Sequence, residues 1–252
     1  MLARSEPILR EAVGSDGAGA SVLVSWLARW RSAMTSTSHT EEGATYHHGD
    51  LPQTLMNLAL DQIREAGTEK LSLRALARAA GVSPTAPYRH FATKQCLLAA
   101  IATEGFHLLR VKNAAVRTAD GPVEQRMLDM SLAYVEFALD NPTRYQLMFG
   151  SLLGDFSKYE MLHRASAAAY EEVDEIPEEM IDARRLTVSA ELLGGMLWSF
   201  LHGMALLLIQ EVDSSGENSK PLRAIDAMRQ DPEAAIRSML AGLFSGAAPG
   251  SS

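Results

Sequence analysis

Residues 70–94 read KLSLRALARAAGVSPTAPYRHFATK, and their punctuation leaves the chain little freedom. Ser72 is a good N-cap for a helix of about two turns in which Leu73, Leu76 and Ala77 point one way. Gly81 ends that helix, because glycine accepts the left-handed backbone of a C′ position. Ser83 then caps a second helix with Pro84 at its first position, where the missing N–H is no loss. Pro87 falls at the fourth position and deletes one hydrogen bond. The second helix is therefore expected to have a modified entry and to rely on Tyr88 and Phe91 as anchors. Two short helices joined by AAGVS, with Val82 filling the space between them, make a helix-turn-helix.

The flanking sequence is helical throughout. Leu51 to Ala66 carries Leu55, Leu58, Ala59, Ile63 and Ala66 on one face, and Gly67 ends it. Thr93 caps a long helix with Leu97, Leu98, Ile101, Gly105 and Leu108 on its apolar side, ending near Gly121. Longer helices follow, from Pro122 to Asp140, Pro142 to Phe149, over about 155–173, and over about 180–211 as the longest. Leu222 to Met228 reads as a turn of helix, and Pro232 starts the last helix, to Phe244. The acidic stretch Glu171 to Asp182, with Pro177 inside it, reads as a loop or broken turn, and SSGENSKP (214–221) as a loop. Period-two alternation is scarce, so the expected fold class is all-α, with an N-terminal three-helix helix-turn-helix domain and a C-terminal helical domain.

Charge is unevenly spread. The net charge of −8 divides into −1 over 1–43, +2 over 44–110 and −9 over 111–252. A positive module on an acidic body keeps nucleic-acid binding open at one end. The lone Cys96 permits no intrachain disulfide, which fits a reducing, cytoplasmic setting. LLGGMLWSFLHGMALLLI (192–209) has no Asp, Glu, Lys or Arg, the lower edge of a membrane span. His202 in its middle and the lack of basic anchors instead point to a buried or dimer-interface helix, with no membrane. No G-x-S-x-G, P-loop or H-E-x-x-H is present, and His47-His48 with Asp50 has poor metal spacing. Neither an enzyme nor a cofactor is expected. Residues 1–43, with the apolar run SVLVSWLARW, read as a flexible or misassigned extension in which Met34 is a candidate start; the other reading is a short amphipathic helix packed on the body.

Beyond Gly81 the motif continues as Ser83, Tyr88, His90, Phe91, Lys94, Leu97 and Leu98. With Ala77, Ala80, Gly81 and Val82, this string resembles the DNA-binding domain of the TetR/AcrR family of transcriptional regulators over about 48–110. WSFLHG (198–203) and NPTRYQLMF (141–149) resemble the WHG-type C-terminal domain of one subgroup. The resemblance implies a DNA-binding regulator, usually a repressor, that binds a palindromic operator on double-stranded DNA as a homodimer. A small molecule in the C-terminal domain would release it. The domains would be 44–110 for DNA and 111–245 for effector binding and dimerisation, with 246–252 a disordered tail. Dimerisation would use about 183–211 and 232–244. The segment ATYHHGD stands where the family arm is commonly basic. The competing class is a helical interaction module that has lost DNA binding.

In a recognition helix the N-terminal residues meet base edges while flanking groups bind phosphate. Thr85 and Ala86 are the candidate base readers, and Arg89 is the variable base or phosphate reader. Tyr88, His90 and Lys94 are candidate phosphate contacts, His90 by resemblance and Lys94 also by its place at a helix N-terminus. Ser72 and Ser83 are caps at the same surface, and Arg74, with Arg78, can reach the backbone. Nine of the twelve methionines lie beyond residue 110, and methionine is frequent at adaptable apolar surfaces. Met127, Met130, Tyr134, Phe149, Met161, Met196, Trp198 and His202 are the candidate effector pocket; ordinary core filling is the alternative for each.

Overall fold

Thirteen helical segments follow one another without a strand among the described residues. The computed structural model describes residues 50–184, 186–210 and 220–245. The 1–43 extension, the ATYHHG part of the arm with His47-His48, most of the SSGENSKP loop and the 246–252 tail lie outside them. The helices all belong to one compact unit, Leu51–Ser252.

Helix α1 is Leu51–Ala66, and Gly67 closes it at φ 77° with its N–H on the Ile63 carbonyl. A single 3₁₀ turn, Thr68–Lys70, leads to α2, Leu73–Ala79. Ser72 caps α2 by accepting from the Ala75 N–H. At its other end Gly81, at φ 66°, donates to the Arg78 carbonyl and Val82 donates to the Ala77 carbonyl. This is the paired closure that a left-handed C′ residue allows.

The second element of the helix-turn-helix departs from expectation. It is a 3₁₀ turn, Ala86–Arg89, and not an α-helix starting at Pro84. The reason is Pro87. An α-helix would put the Pro87 N–H on the Ser83 carbonyl, and proline has none. That carbonyl accepts from the Ala86 N–H instead, and the tighter spacing continues as Tyr88 to Thr85 and His90 to Pro87. The anchors differ too. Pro87 and Phe91 are buried, whereas Tyr88 is 46% exposed.

Thr93 then caps α3, Lys94–Arg117, by accepting from the Cys96 N–H. At 24 residues α3 is the longest described helix, in place of the expected 180–211. It runs through residue 110, so no linker separates the two expected domains there. Helix α4 is Val123–Asp140 and α5 is Pro142–Phe149. A 3₁₀ turn, Phe156–Lys158, precedes α6, Glu160–Glu171. The acidic stretch is helical: α7 is Glu175–Arg184, followed by α8, Ala190–Ile209. Pro177 is the third residue of α7, where backbone N–H groups have no intrahelical acceptor, so the helix tolerates it. Glu175 and Glu178 in the first turn favour the positive end of the helix dipole. Lys220–Gln230 and Pro232–Ser245 form α9 and α10.

Helix α3 packs on α4, α5 and α6, and α8 packs on α4, α7 and α9. By length and composition α8 could cross a membrane. One face nonetheless buries Leu193, Leu197, Leu201, Met204, Ala205 and Leu208 in the protein.

Candidate functional sites

The first site is the surface of the helix-turn-helix. With Pro87 and Phe91 turned inward, Ser83, Thr85, Tyr88, Arg89 and His90 stand exposed on one short segment, with Ala86 half-buried. Ser72, Arg74 and Arg78 are exposed on or beside α2. The Ser83 and Thr85 hydroxyls lie 3.2 Å apart and orient each other. Lys94 is half-buried and donates from Nζ to the Thr68 carbonyl at 2.5 Å. That bond fixes its ammonium between α3 and the turn after α1, and two further protons remain for another acceptor. Exposed arginines, a lysine and hydroxyls on a narrow face suit a polyanion whose edges carry donors and acceptors.

The second site lies in the body. Trp198 and His202 are four residues apart on α8 and so share a face. Their rings stack with centroids 5.1 Å apart. Phe149 on α5 meets His202 edge-on at 5.1 Å and Tyr145 at 4.8 Å. Nδ1 of His202 is 2.6 Å from the Tyr145 hydroxyl, which is 2.9 Å from the Tyr134 hydroxyl. Burial lowers the His202 pKa and keeps the ring neutral. A neutral ring protonated on Nε2 accepts from Tyr145, and Tyr145 accepts from Tyr134. Burial pushes the Tyr134 phenol up to about 12 and raises Tyr145 as well, so both stay protonated donors.

Beside this cluster opens a cavity of about 250 Å³ between α3, α4, α5, α6, α7 and α8, lined chiefly by apolar side chains. Met130, Tyr134, Phe149 and Trp198 line it, as expected from sequence. The other four candidates lie elsewhere. Met127 is fully buried in the core, because its side of α4 faces the packed interior. Met161 on α6 and Met196 on α8 are 65% and 43% exposed, on faces turned away from the cavity. His202 stands behind the lining and orients the tyrosines. Beyond the residues expected from sequence, Phe106, Leu109 and Asn113 on α3 and Tyr170, Asp174 and Glu178 around the α6–α7 junction also line the cavity. The α3 residues carry a sequence signal, an apolar stripe continuing past Gly105. The α6–α7 residues carry none, since their acidic composition and Pro177 read as a loop.

A third feature joins the two sites. The carboxylate of Glu104 on α3, 4% exposed, takes the Arg144 guanidinium of α5 at 2.6 Å and the Gln53 amide of α1 at 3.1 Å. Gly105 beside it lets α5 come close, since a Cβ there would lie 2.4 Å from the Met148 sulfur.

A helix-turn-helix head sharing a long helix with a cavity-bearing helical body is the architecture of a DNA-binding regulator with a ligand-binding domain. The sequence matches bacterial regulatory proteins of the tetR family over residues 55–101, and the tetracyclin repressor-like C-terminal domain over 127–217, which contains Trp198 and His202. The chain belongs to the TetR family. A protein with unknown function from Rhodococcus sp. RHA1 is similar in structure, at 27% identity and TM-score 0.60, over 77% of this chain and 97% of that one. The fold is also that of the TetR family transcriptional regulator PfmR from Thermus thermophilus, at 18% identity and TM-score 0.55, over 72% and 96% of the chains. The transcriptional regulator FadR from Bacillus subtilis, solved in complex with stearoyl-CoA, shares it at 13% identity and TM-score 0.58, over 77% and 98%. No curated protein matches the sequence.

Proposed function

We propose that this regulator is a cytoplasmic repressor that binds a palindromic operator as a homodimer and lets go when a small, largely apolar effector enters the cavity. Residues 44–110 act as the DNA head and 111–245 as the effector and dimerisation body. The observation that carries the DNA reading is the division of labour on the Ala86–Arg89 turn: Pro87 and Phe91 hold it from within, leaving Thr85, Tyr88, Arg89 and His90 outward. Thr85 and Arg89 read base edges, while Tyr88, His90 and Lys94 hold phosphates. The outward face of α8 supports the dimer. It exposes Leu192, Met196 and Leu207, and Gly195, Ser199 and Gly203 recur every fourth residue on an open side. Small residues at that spacing let a second helix approach closely, and two-fold symmetry implies an operator of two half-sites.

The test is fluorescence anisotropy of the full chain with a labelled duplex from upstream of its own coding region, against a scrambled duplex, at several salt concentrations. The expected result is specific binding that weakens steeply with salt. Arg89→Ala should cost about 1–3 kcal/mol, and Lys94→Ala should flatten the salt dependence. Binding of neither duplex at low salt, nor of any member of a random duplex library, would leave a helical interaction module in place of a regulator.

A further inference from the structure

The cavity is ringed by aromatic side chains. Only 6% of the chain is aromatic, yet Phe106, Tyr134, Phe149, Tyr170 and Trp198 all stand on the lining. Three of them meet the Phe149 ring at an angle: Phe106 with centroids 5.4 Å apart and planes at 72°, Tyr134 at 6.3 Å and 53°, and Trp198 at 6.5 Å and 51°. Angled rings present both edges and faces, so a further flat ring can enter the same pattern. Trp198 adds an independent observation. His202 stacks on its indole at 5.1 Å and 19°, yet Trp198 is still 45% exposed where it lines the cavity, which leaves indole surface for a partner. The polar groups of the inner wall are already engaged or shut away. The Tyr134 hydroxyl is held by Tyr145 at 2.9 Å, the Ser166 hydroxyl donates to the His163 carbonyl at 2.9 Å, and the Asn113 side-chain oxygen is enclosed. Asp174, Glu178 and Glu191 are exposed to water, and no Lys, Arg or His stands on the lining.

From the angled rings, the open indole and the engaged polar groups, we infer that the effector buries an uncharged, flat aromatic body of about two fused rings. Its size follows from the volume: an apolar cavity of about 150 Å³ holds benzene, and this one has about 250 Å³. Its lack of charge follows from the inner wall. An ion there would lose its hydration and find neither a counter-charge nor a hydrogen bond in return. Its aromatic character follows from the rings. Edge-to-face and offset contacts between rings gain free energy beyond the area they bury, and a saturated body of the same size forgoes that gain. Buried Phe106 and half-buried Phe149 take the inner ring of the effector, and exposed Trp198 covers the outer one. A polar substituent points to the mouth, where water solvates it. The flexible, saturated chain of stearoyl-CoA, the ligand in the Bacillus subtilis structure, would make no such ring contacts. The inference rests on the cavity being the effector site.

Isothermal titration calorimetry of the full chain at neutral pH with naphthol, decalol and decanol tests it. The three are equal in carbon number, carry one hydroxyl each and differ in being aromatic, saturated and cyclic, or linear. Naphthol should bind at least about fivefold more tightly than decalol, the margin expected of edge-to-face ring contacts, and decanol no better than decalol. Trp198→Leu, and separately Phe149→Leu, should each bring the naphthol-to-decalol ratio to about twofold or less while leaving decalol binding within about twofold of that of the unaltered chain. The exposure of Trp198 keeps the first variant from putting the fold at stake. Decalol or decanol binding as tightly as naphthol would overturn the aromatic assignment while leaving the cavity an apolar effector site, and so would a naphthol advantage that survived in both variants. If none of the three bound, the effector-site reading would fall, and the aromatic assignment with it.

Discussion

His202 and Asn113 are both polar residues in an apolar setting, and they differ in their hydrogen bonding. His202 has its partner in Tyr145, and Asn113 lacks one for its oxygen among the described residues. His202 is therefore a structural histidine whose pKa is held below the ordinary 6.5 by burial. The native state favours the neutral ring, so the unfolded chain binds more protons over that range. The stability it contributes is complete above pH 6.5 and is lost as pH falls from there through the lower folded value. Thermal melts between about pH 7.5 and 5.5 should show a decline that His202→Gln reduces, with His107, whose pKa burial also lowers, supplying the rest; an equal decline in the variant would exclude His202 as a source. At this scale sequence is a partial guide. Trp198 and His202 are readable as a pair from their spacing, yet three methionines of the same chemistry, Met127, Met130 and Met196, occupy core, cavity wall and outer surface. Which face of a helix meets a cavity depends on how neighbouring helices are rotated, and that is a tertiary property no residue type carries.

At the scale of elements, the short helix α5 is held by two devices on α3. The Glu104–Arg144 pair, with Gln53 of α1, ties it electrostatically, and Gly105 allows the close approach. A methyl group at 105 would fall 2.4 Å from the Met148 sulfur and 2.9 Å from Cγ of Arg144. Gly105→Ala should therefore destabilise the protein by about 1–3 kcal/mol, as overpacking does. Urea denaturation would measure this, and a stability gain, as expected for an unhindered glycine in a helix, would show that α5 does not press on α3 as described. Element starts and stops are the most readable part of the chain. Ser72, Gly81 and Thr93 do what capping chemistry says they should, because a cap is a local contract between a side chain and nearby amides. Two of the departures involve proline. Pro87 does not merely bend the entry of an α-helix but converts the segment to a 3₁₀ turn. Pro177 breaks nothing, because it sits in a first turn that has no bond to lose. Proline's effect depends on its distance from the helix start, and sequence fixes that start only to within about a residue or two.

At the scale of the whole molecule, α8 exposes Leu192, Met196 and Leu207 away from the face that it buries. If that surface joins two copies, charge placed on it should separate them without touching the core. Met196→Glu/Leu207→Glu should convert a dimer to a monomer in size-exclusion chromatography with light scattering, and lower operator affinity strongly, because each half-site would then be bound alone. A variant that remained dimeric would move the interface elsewhere. Fold class and head are open to sequence because both rest on local patterns, helix periodicity and the run from Ala77 to Leu98. The cavity is less so, since six helices build it.

Helix α3 begins at the recognition surface, with Lys94, and ends along the cavity, with Phe106, Leu109 and Asn113. An α-helix advances about 100° per residue, so these side chains stand in fixed angular phase with one another. Inserting or deleting one residue between Lys94 and Phe106 would swing the wall of the cavity a quarter of a turn or more relative to the head. Loops elsewhere in the chain can lengthen or shorten at little cost, but this stretch can change only by substitution.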